Sequence, residues 1–258
     1  MLDQVKLEID EYGLVRTNIP VFSDIELRAA LVTFVKRTWD YRKTYLQKEL
    51  KVAFDGYSYL GQEDSLNQYS FDQLHSFVIS DLLPYSSFPK EFHTFLLQEW
   101  EPMVQFLTGL QELLLRKFNI EHLKGELRNN MGYMASCNYY PSLSDKKIKG
   151  QRLSTHRDVS FFTVFPFGLD RGLVMQKDGQ KQNVGVMERV FAFPGYMAEV
   201  MTEGKIKALD HYVEESKRPN KERFSFAFFS IPRPEAVINF PKGEMDGKDY
   251  YKQYLSLF

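Results

Sequence analysis

Apolar and polar residues alternate from the start of the chain. Val5, Leu7 and Ile9 are interleaved with Lys6 and Glu8, the two-residue period of a half-buried strand. A second extended run, Val15 to Phe22, follows the Tyr12-Gly13 turn and is broken by Pro20. The period then lengthens. Behind an N-cap signal at Ser23-Asp24, Leu27, Leu31, Phe34, Val35, Trp39 and Leu46 recur near helical spacing, predicting a core-facing helix from Ile25 to about Lys48. Residues 52–92 read as loop-rich, punctuated by Asp55-Gly56-Tyr57, Leu60-Gly61-Gln62 and the stretch from Pro84 to Pro89. Pro89 suits the first turn of a long scaffold helix reaching about Phe118, with Phe92, Phe95, Trp100, Leu107, Leu110 and Leu114 among its apolar positions and a break near Pro102.

From Gly132 the strand period returns. Candidate strands cover 132–140, 150–156, 159–167, 172–176, 182–186, 190–194, 198–202, 208–214, 223–230 and 235–239, with turn signals every few residues. Ten short strands in close succession predict a mainly-β fold with flanking helices, built on a double-stranded β-helix (jelly-roll) core. The bulky tail from Gly247, with Tyr250, Tyr251, Tyr254 and Phe258, predicts a closing helix. No internal repeat or low-complexity linker interrupts the pattern. The expected organisation is one domain over 1–258: a helical and loop-rich part (1–131), the jelly-roll core (132–240) and a C-terminal helix (241–258). The lysines between Asp145 and Gly150 read as a solvated loop.

Composition adds a source for the core. Of 258 residues, 43% are hydrophobic and 15% aromatic, so Phe and Tyr dominate whatever interior forms. The formal net charge of −1 supplies no global field for nucleic acid or an anionic membrane. A single cysteine, Cys137, excludes an internal disulfide framework, suits a reducing cytoplasm and is expected to be buried and inert. Met1-Leu2-Asp3-Gln4 lacks the features of a signal peptide, and no apolar run is long enough to span a bilayer. A cytoplasmic location is therefore expected, with no membrane or nucleic-acid partner.

The chemistry gathers in His156-Arg157-Asp158-Val159-Ser160, His211 and Arg223-Phe224-Ser225. In a strand, residues i and i+2 share a face, so His156 and Asp158 converge while Arg157 points away. His211 lies 53 residues beyond Asp158, far enough to return on a later strand. Two imidazoles and one carboxylate, with positions left open on the metal, are the ligand set of non-heme Fe(II) oxygenases. Arg223 follows 12 residues after His211, and with Ser225 on the same face it offers a donor fork and a hydroxyl to a carboxylate. An H-x-D or an R-x-S alone carries little weight. Their order and spacing among short apolar runs carry more. His75 and His93 read as structural or exposed.

The segment from Asn138 to Pro234 resembles the iron(II)- and 2-oxoglutarate-dependent dioxygenases, in the branch similar to isopenicillin N synthase and the plant flavonoid and hormone oxygenases. Asn138-Tyr139-Tyr140-Pro141 looks like that branch's N-Y-Y-P, and His156-x-Asp158-Val159-Ser160 through Thr163 like its H-T-D-x-S-x-x-T. Gly172-Leu173, Gly195 and Thr202-Glu203-Gly204 match shorter turn elements. Arg223-x-Ser225 with Phe229-x-x-Pro232 resembles R-x-S-x-x-x-F-x-x-P. The resemblance implies Fe(II) on His156, Asp158 and His211, and 2-oxoglutarate as co-substrate with its distal carboxylate on Arg223 and Ser225. It further implies a hydroxyl from Tyr140 on that carboxylate, and O2 as oxidant. The substrate it implies is a small molecule, such as an amino-acid derivative or secondary metabolite, oxidised by hydroxylation, desaturation or ring closure.

Arg157, Tyr196 and Tyr212 depart from the family pattern without removing a ligand. Two other readings stay open. One is an Fe(II) oxidase that needs no 2-oxoglutarate and binds its substrate's own carboxylate through Arg223 and Ser225. The other is a jelly-roll binding protein without turnover. Phe161, Met175 and Phe229, with residues before 135, are expected to shape the substrate pocket.

Overall fold

The computed structural model describes residues 4–50, 54–60, 72–142, 151–214 and 221–257. The 145–150 loop, the Met1–Asp3 start and Phe258 lie outside them. In chain order the strands are β1 (Leu7–Ile9), β2 (Val15–Pro20), β3 (Gly56–Ser58), β4 (His75–Ser80), β5 (Met131–Tyr140), β6 (Gln151–His156) and β7 (Phe162–Phe165). They continue as β8 (Leu173–Lys177), β9 (Gln180–Asn183), β10 (Arg189–Pro194), β11 (Asp210–Glu214), β12 (Arg223–Pro232), β13 (Val237–Phe240) and β14 (Gly243–Asp246). The helices are α1 (Ile25–Val35), α2 (Trp39–Arg42), α3 (Gln47–Leu50), α4 (His93–Gln98), α5 (Trp100–Lys117), α6 (Lys124–Asn130), α7 (Tyr196–Met201) and α8 (Gly247–Leu255).

An eight-stranded sheet runs β1-β2-β10-β7-β12-β5-β4-β3 and a four-stranded sheet runs β6-β11-β8-β9, every pairing antiparallel. These are the two sheets of a jelly roll. The longest ladder joins β5 to β12 in unbroken register from Arg223↔Tyr140 to Pro232↔Met131. Its two-residue period sorts the side chains. Ser225, Ala227 and Phe229, with Met134, Ser136 and Asn138, line a cleft between the sheets. Phe228 and Phe77 point the other way, against Trp100 of α5 (ring centroids 6.0 Å apart) and against Phe34 of α1 (4.9 Å) and Phe92 (4.8 Å). Each such buried ring stabilises the fold by about 1.5–3 kcal/mol, which fixes the helices on the outer face. Cys137 lies opposite Phe77 and Phe226 on that face, wholly buried, and burial pushes its thiol pKa well above the ordinary range.

Local differences from the sequence expectations have physical reasons. The helix expected to reach Lys48 stops at Val35, and the chain turns at Thr38, whose hydroxyl caps α2. The long scaffold helix breaks at Glu99 rather than at Pro102, because a proline ring clashes with the carbonyl four residues back. Restarting at Trp100 puts Pro102 in a first turn, where its missing N–H costs nothing. The loop-rich stretch 52–92 contains β3 and β4, which extend the large sheet at its edge. Residues expected as a strand over 198–202 fold instead as α7, since Gly195 starts a turn that presents backbone N–H groups to a neighbouring segment. No helix among the described residues is long and apolar enough to cross a membrane.

Candidate active site

His156 ends β6, and His211 sits directly opposite it on β11. Their rings lie 4.3 Å apart. The ladder is bulged here: His211 pairs with His156 but Val213 pairs with Leu153, so one residue of β11 faces two of β6. The extra residue lets Leu153 and His156, three apart, both face the cleft. Asp158 lies just past the end of the strand, so simple alternation does not place it as the sequence suggested. Its Oδ1 comes within 3.4 Å of His156 Nε2 and 3.7 Å of His211 Nε2. The candidate ligand atoms of all three lie within 4.8 Å of one another.

The donor chemistry fits a metal. His156 Nδ1 is 2.7 Å from Ser154 O, and His211 Nδ1 is 3.0 Å from Leu209 O. A carbonyl only accepts, so both Nδ1 atoms carry a proton and both Nε2 atoms turn toward Asp158, left to bind a metal once unprotonated. The other carboxylate oxygen, Asp158 Oδ2, accepts from Thr163 Oγ1 at 2.6 Å. With that proton committed, Ser160 Oγ donates to Thr163 at 2.7 Å. Burial works against charge on His156, but the hydrogen bond and charge of Asp158 outweigh it and leave its pKa above the ordinary value. Burial and the neighbouring His156 charge lower His211 to about 4, holding it neutral. Burial likewise opposes ionisation of Asp158, yet the two histidines and Thr163 keep its carboxyl below the usual range.

The backbone around Asp158 is braced residue by residue. Tyr254 Oη donates to Arg157 O at 2.7 Å and Tyr250 Oη to Val159 O at 2.6 Å, both from α8. Tyr196 N donates to Asp158 O at 2.7 Å, Met197 N to Ser160 O at 3.1 Å and Gly195 N to Phe161 O at 3.0 Å. Five consecutive carbonyls are thus held. The approach needs glycine at 195, where a Cβ would stand 2.2 Å from Ser160 O. Arg157 grips Asp210 on the outside, with Nε and Nη2 at 2.7 and 3.3 Å, so the neighbours of two candidate ligands are tied together.

The other end of the cleft is built differently. Arg223 and Tyr140 are paired across the β5–β12 ladder, and the guanidinium lies 4.6 Å from the Tyr140 ring centroid. Arg223 Nε donates to Arg171 O at 2.9 Å. Arg223 Nη1 and Tyr140 Oη are buried and make no hydrogen bond of normal length and angle among the described residues, with Arg223 and Ser225 close to the Tyr140 hydroxyl. Orphaned donors of this kind are costly unless something supplies acceptors, and Ser225 lines the same wall. A carboxylate would satisfy both.

Between the two ends runs a cleft, partly open to solvent and lined by both apolar and polar side chains. All six residues singled out from the sequence line it: His156, Asp158, His211, Arg223, Ser225 and Tyr140. Phe229 lines it too, whereas Phe161 and Met175 are wholly buried outside its lining. Sequence reading assigned no role to Tyr250 and Tyr254, although their four-residue spacing on a short helix was a signal. Nor did it give a specific role to Asp72, which lines the cleft and binds Ser154. Burial pushes Asp72 up to about 6, against its hydrogen bonds from Ser154 and the charge of His156.

Residues 132–232 match the family described as the 2OG-Fe(II) oxygenase superfamily. The "2-oxoglutarate-dependent dioxygenase 11" of Oryza sativa subsp. japonica is 26% identical, over 93% of this chain and 68% of its own length. Among solved structures, a full-length Neurospora crassa protein in complex with alpha-KG superposes with a TM-score of 0.72 at 16% identity, covering 95% of this chain and 85% of the other. JOX2 in complex with 2OG, Fe and JA gives a TM-score of 0.73 at 20% identity, over 94% and 78%.

Proposed function

We propose that this chain, which belongs to the 2OG-Fe(II) oxygenase superfamily through residues 132–232, holds Fe(II) on His156, Asp158 and His211 and 2-oxoglutarate on Arg223, Ser225 and Tyr140. It uses O2 and 2-oxoglutarate to oxidise a small molecule seated in the cleft. The observation that carries the assignment is the pair of orphaned donors, Arg223 Nη1 and Tyr140 Oη, in the same cleft as the His-Asp-His cluster.

Iron, when bound with 2-oxoglutarate, supplies the redox chemistry that couples oxidative decarboxylation to oxidation of the substrate. The chain supplies placement. Ser154 O and Leu209 O hold the Nδ1 protons of His156 and His211, which turns both Nε2 atoms toward the place where a metal would bind them. Thr163 fixes the rotation of the Asp158 carboxylate, leaving Oδ1 for the metal. Arg223 binds a distal carboxylate as a charged donor, with the Tyr140 and Ser225 hydroxyls adding direction. Phe165, Phe229, Leu173 and Val213 give the cleft an apolar lining that excludes water from the reacting centre.

The test is an anaerobic titration of the Fe(II)-loaded protein with 2-oxoglutarate, following the visible charge-transfer band of a chelated 2-oxo acid. A saturable band, and release of succinate on admitting O2, are expected. If the band is missing, while binding of a carboxylate-bearing compound depends on Arg223, the clamp holds the substrate itself and the assignment of 2-oxoglutarate falls.

A further inference from the structure

We propose that the substrate carries a protonated amine and that Asp72 is its anchor; the inference rests on the oxygenase reading of the cleft. Asp72 lies beside β6, where Gln73 N donates to Arg152 O at 2.9 Å. Its Oδ1 accepts from Ser154 N at 3.0 Å and Ser154 Oγ at 3.2 Å. One oxygen is thereby fixed to the strand that carries His156. The other, Oδ2, has no partner among the described residues, and the side chain lines the cleft. Ser154 stands on the bulged part of β6 just before His156, and Asp72 and His156 both line the cleft.

Charge decides what belongs there. In the loaded site, the two positive charges of Fe(II) and the one of Arg223 are matched by the two of 2-oxoglutarate and the one of Asp158. Asp72 remains over. Arg223 is the only cationic side chain lining the cleft among the described residues, and it is committed to the co-substrate. A substrate carboxylate would face Asp72 with no second cation to offset it. An ammonium supplies the missing charge and the missing donor together.

The wall leading there is polar as well. Ser58, Ser76, Asn138 and Ser225 are paired in one row across β3, β4, β5 and β12, and all four line the cleft. At about 4.8 Å per strand the row spans roughly 14 Å, from the co-substrate clamp to the sheet edge. At its far end Ser58 Oγ is buried without a hydrogen-bond partner among the described residues. These hydroxyls and the amide add neutral hydrogen-bonding groups and no positive charge.

The experiment uses the anaerobic Fe(II)·2-oxoglutarate protein and calorimetric titration with matched pairs that differ only in their terminus. Examples are 2-phenylethylamine against 3-phenylpropanoate, with shorter and longer aryl and alkyl homologues. The best amine is expected to bind at least tenfold more tightly than its acid. Asp72→Asn keeps a carbonyl oxygen for Ser154 but removes the charge. It should erase that preference while leaving the dissociation constants for Fe(II) and 2-oxoglutarate unchanged. Asp72→Glu should retain it. Acids binding as tightly as amines, no amine binding across the panel, or an unchanged ratio in Asp72→Asn would each overturn the proposal. Should Asp72→Asn fail to fold, the wild-type ratio decides alone. Metal and 2-oxoglutarate titrations come first, so failure of the oxygenase reading appears there as a missing band. The amine preference is measured separately by calorimetry.

Discussion

The two ends of the cleft are finished to different degrees. Around Asp158 the hydrogen-bonding groups find their partners within the chain: Thr163 on the carboxylate, carbonyls on both imidazoles, and donors on five successive backbone oxygens. Around Arg223 and Tyr140 two buried donors are left without one among the described residues. Internal satisfaction suits a group that stays in place through many turnovers, because the ligands keep their geometry between reactions. Orphaned donors suit a molecule consumed in each cycle, because its binding satisfies them and its departure exposes them again. The contrast is what the proposed pairing of a resident metal at one end with a passing co-substrate at the other would require.

The sharpest way to break the contrast is to remove a metal ligand. Asp158→Ala or His211→Ala is expected to abolish stoichiometric Fe(II) retention in anaerobic dialysis followed by metal analysis. Full occupancy in His211→Ala would end the triad assignment. Next in size comes Arg223→Ala, which should raise the 2-oxoglutarate dissociation constant by roughly two to three orders of magnitude, about 3–5 kcal/mol, with iron retained. Arg223→Lys should fall between, because an ammonium is a compact donor head without the planar fork. An equal loss of iron in these variants would show that the two ends are not separate. Thr163→Val removes the partner of Asp158 Oδ2 and with it the acceptor of Ser160 Oγ, and Fe(II) affinity should drop about 10- to 100-fold. Affinity unchanged in a competition titration would make that hydroxyl idle. Ser225→Ala should weaken 2-oxoglutarate by about 1 kcal/mol, roughly fivefold. Smallest of all, Cys137→Ala, on the helix-covered face, should alter neither binding constant and cost on the order of 1 kcal/mol in thermal unfolding. A shift in iron affinity without unfolding would bring that face into the site.

What was legible in the sequence follows the same division. His156, Asp158, His211, Arg223, Ser225 and Tyr140 stand in short motifs with fixed order, so each could be named before any fold was known. The pairing of Arg223 with Tyr140 could not, since register is set by the whole ten-residue ladder of β5 and β12. Strands with a clean two-residue period, such as β12, were found nearly to the residue. By contrast β3 and β4 were passed over as loop, because turn residues such as Asp55-Gly56 stand at their start. Residues 198–202 were apolar enough for a strand. What made them helical was a tertiary demand, the N–H groups of Tyr196 and Met197 reaching for Asp158 and Ser160. Asp72 carried no local signal at all, because its meaning comes from Ser154, 82 residues away.

The tyrosine brace from α8 also sets an order of assembly. A chain emerging at roughly 5–20 residues per second exposes His156, Asp158 and His211 several seconds before Tyr250 and Tyr254. The proposed metal donors are therefore synthesised before the two tyrosines that brace the carbonyls of Arg157 and Val159. Docking of α8 then adds the last two hydrogen bonds to the backbone that carries Asp158. Removing its two hydroxyls should show itself first as faster escape of the ion from the finished protein, and only secondarily as slower capture.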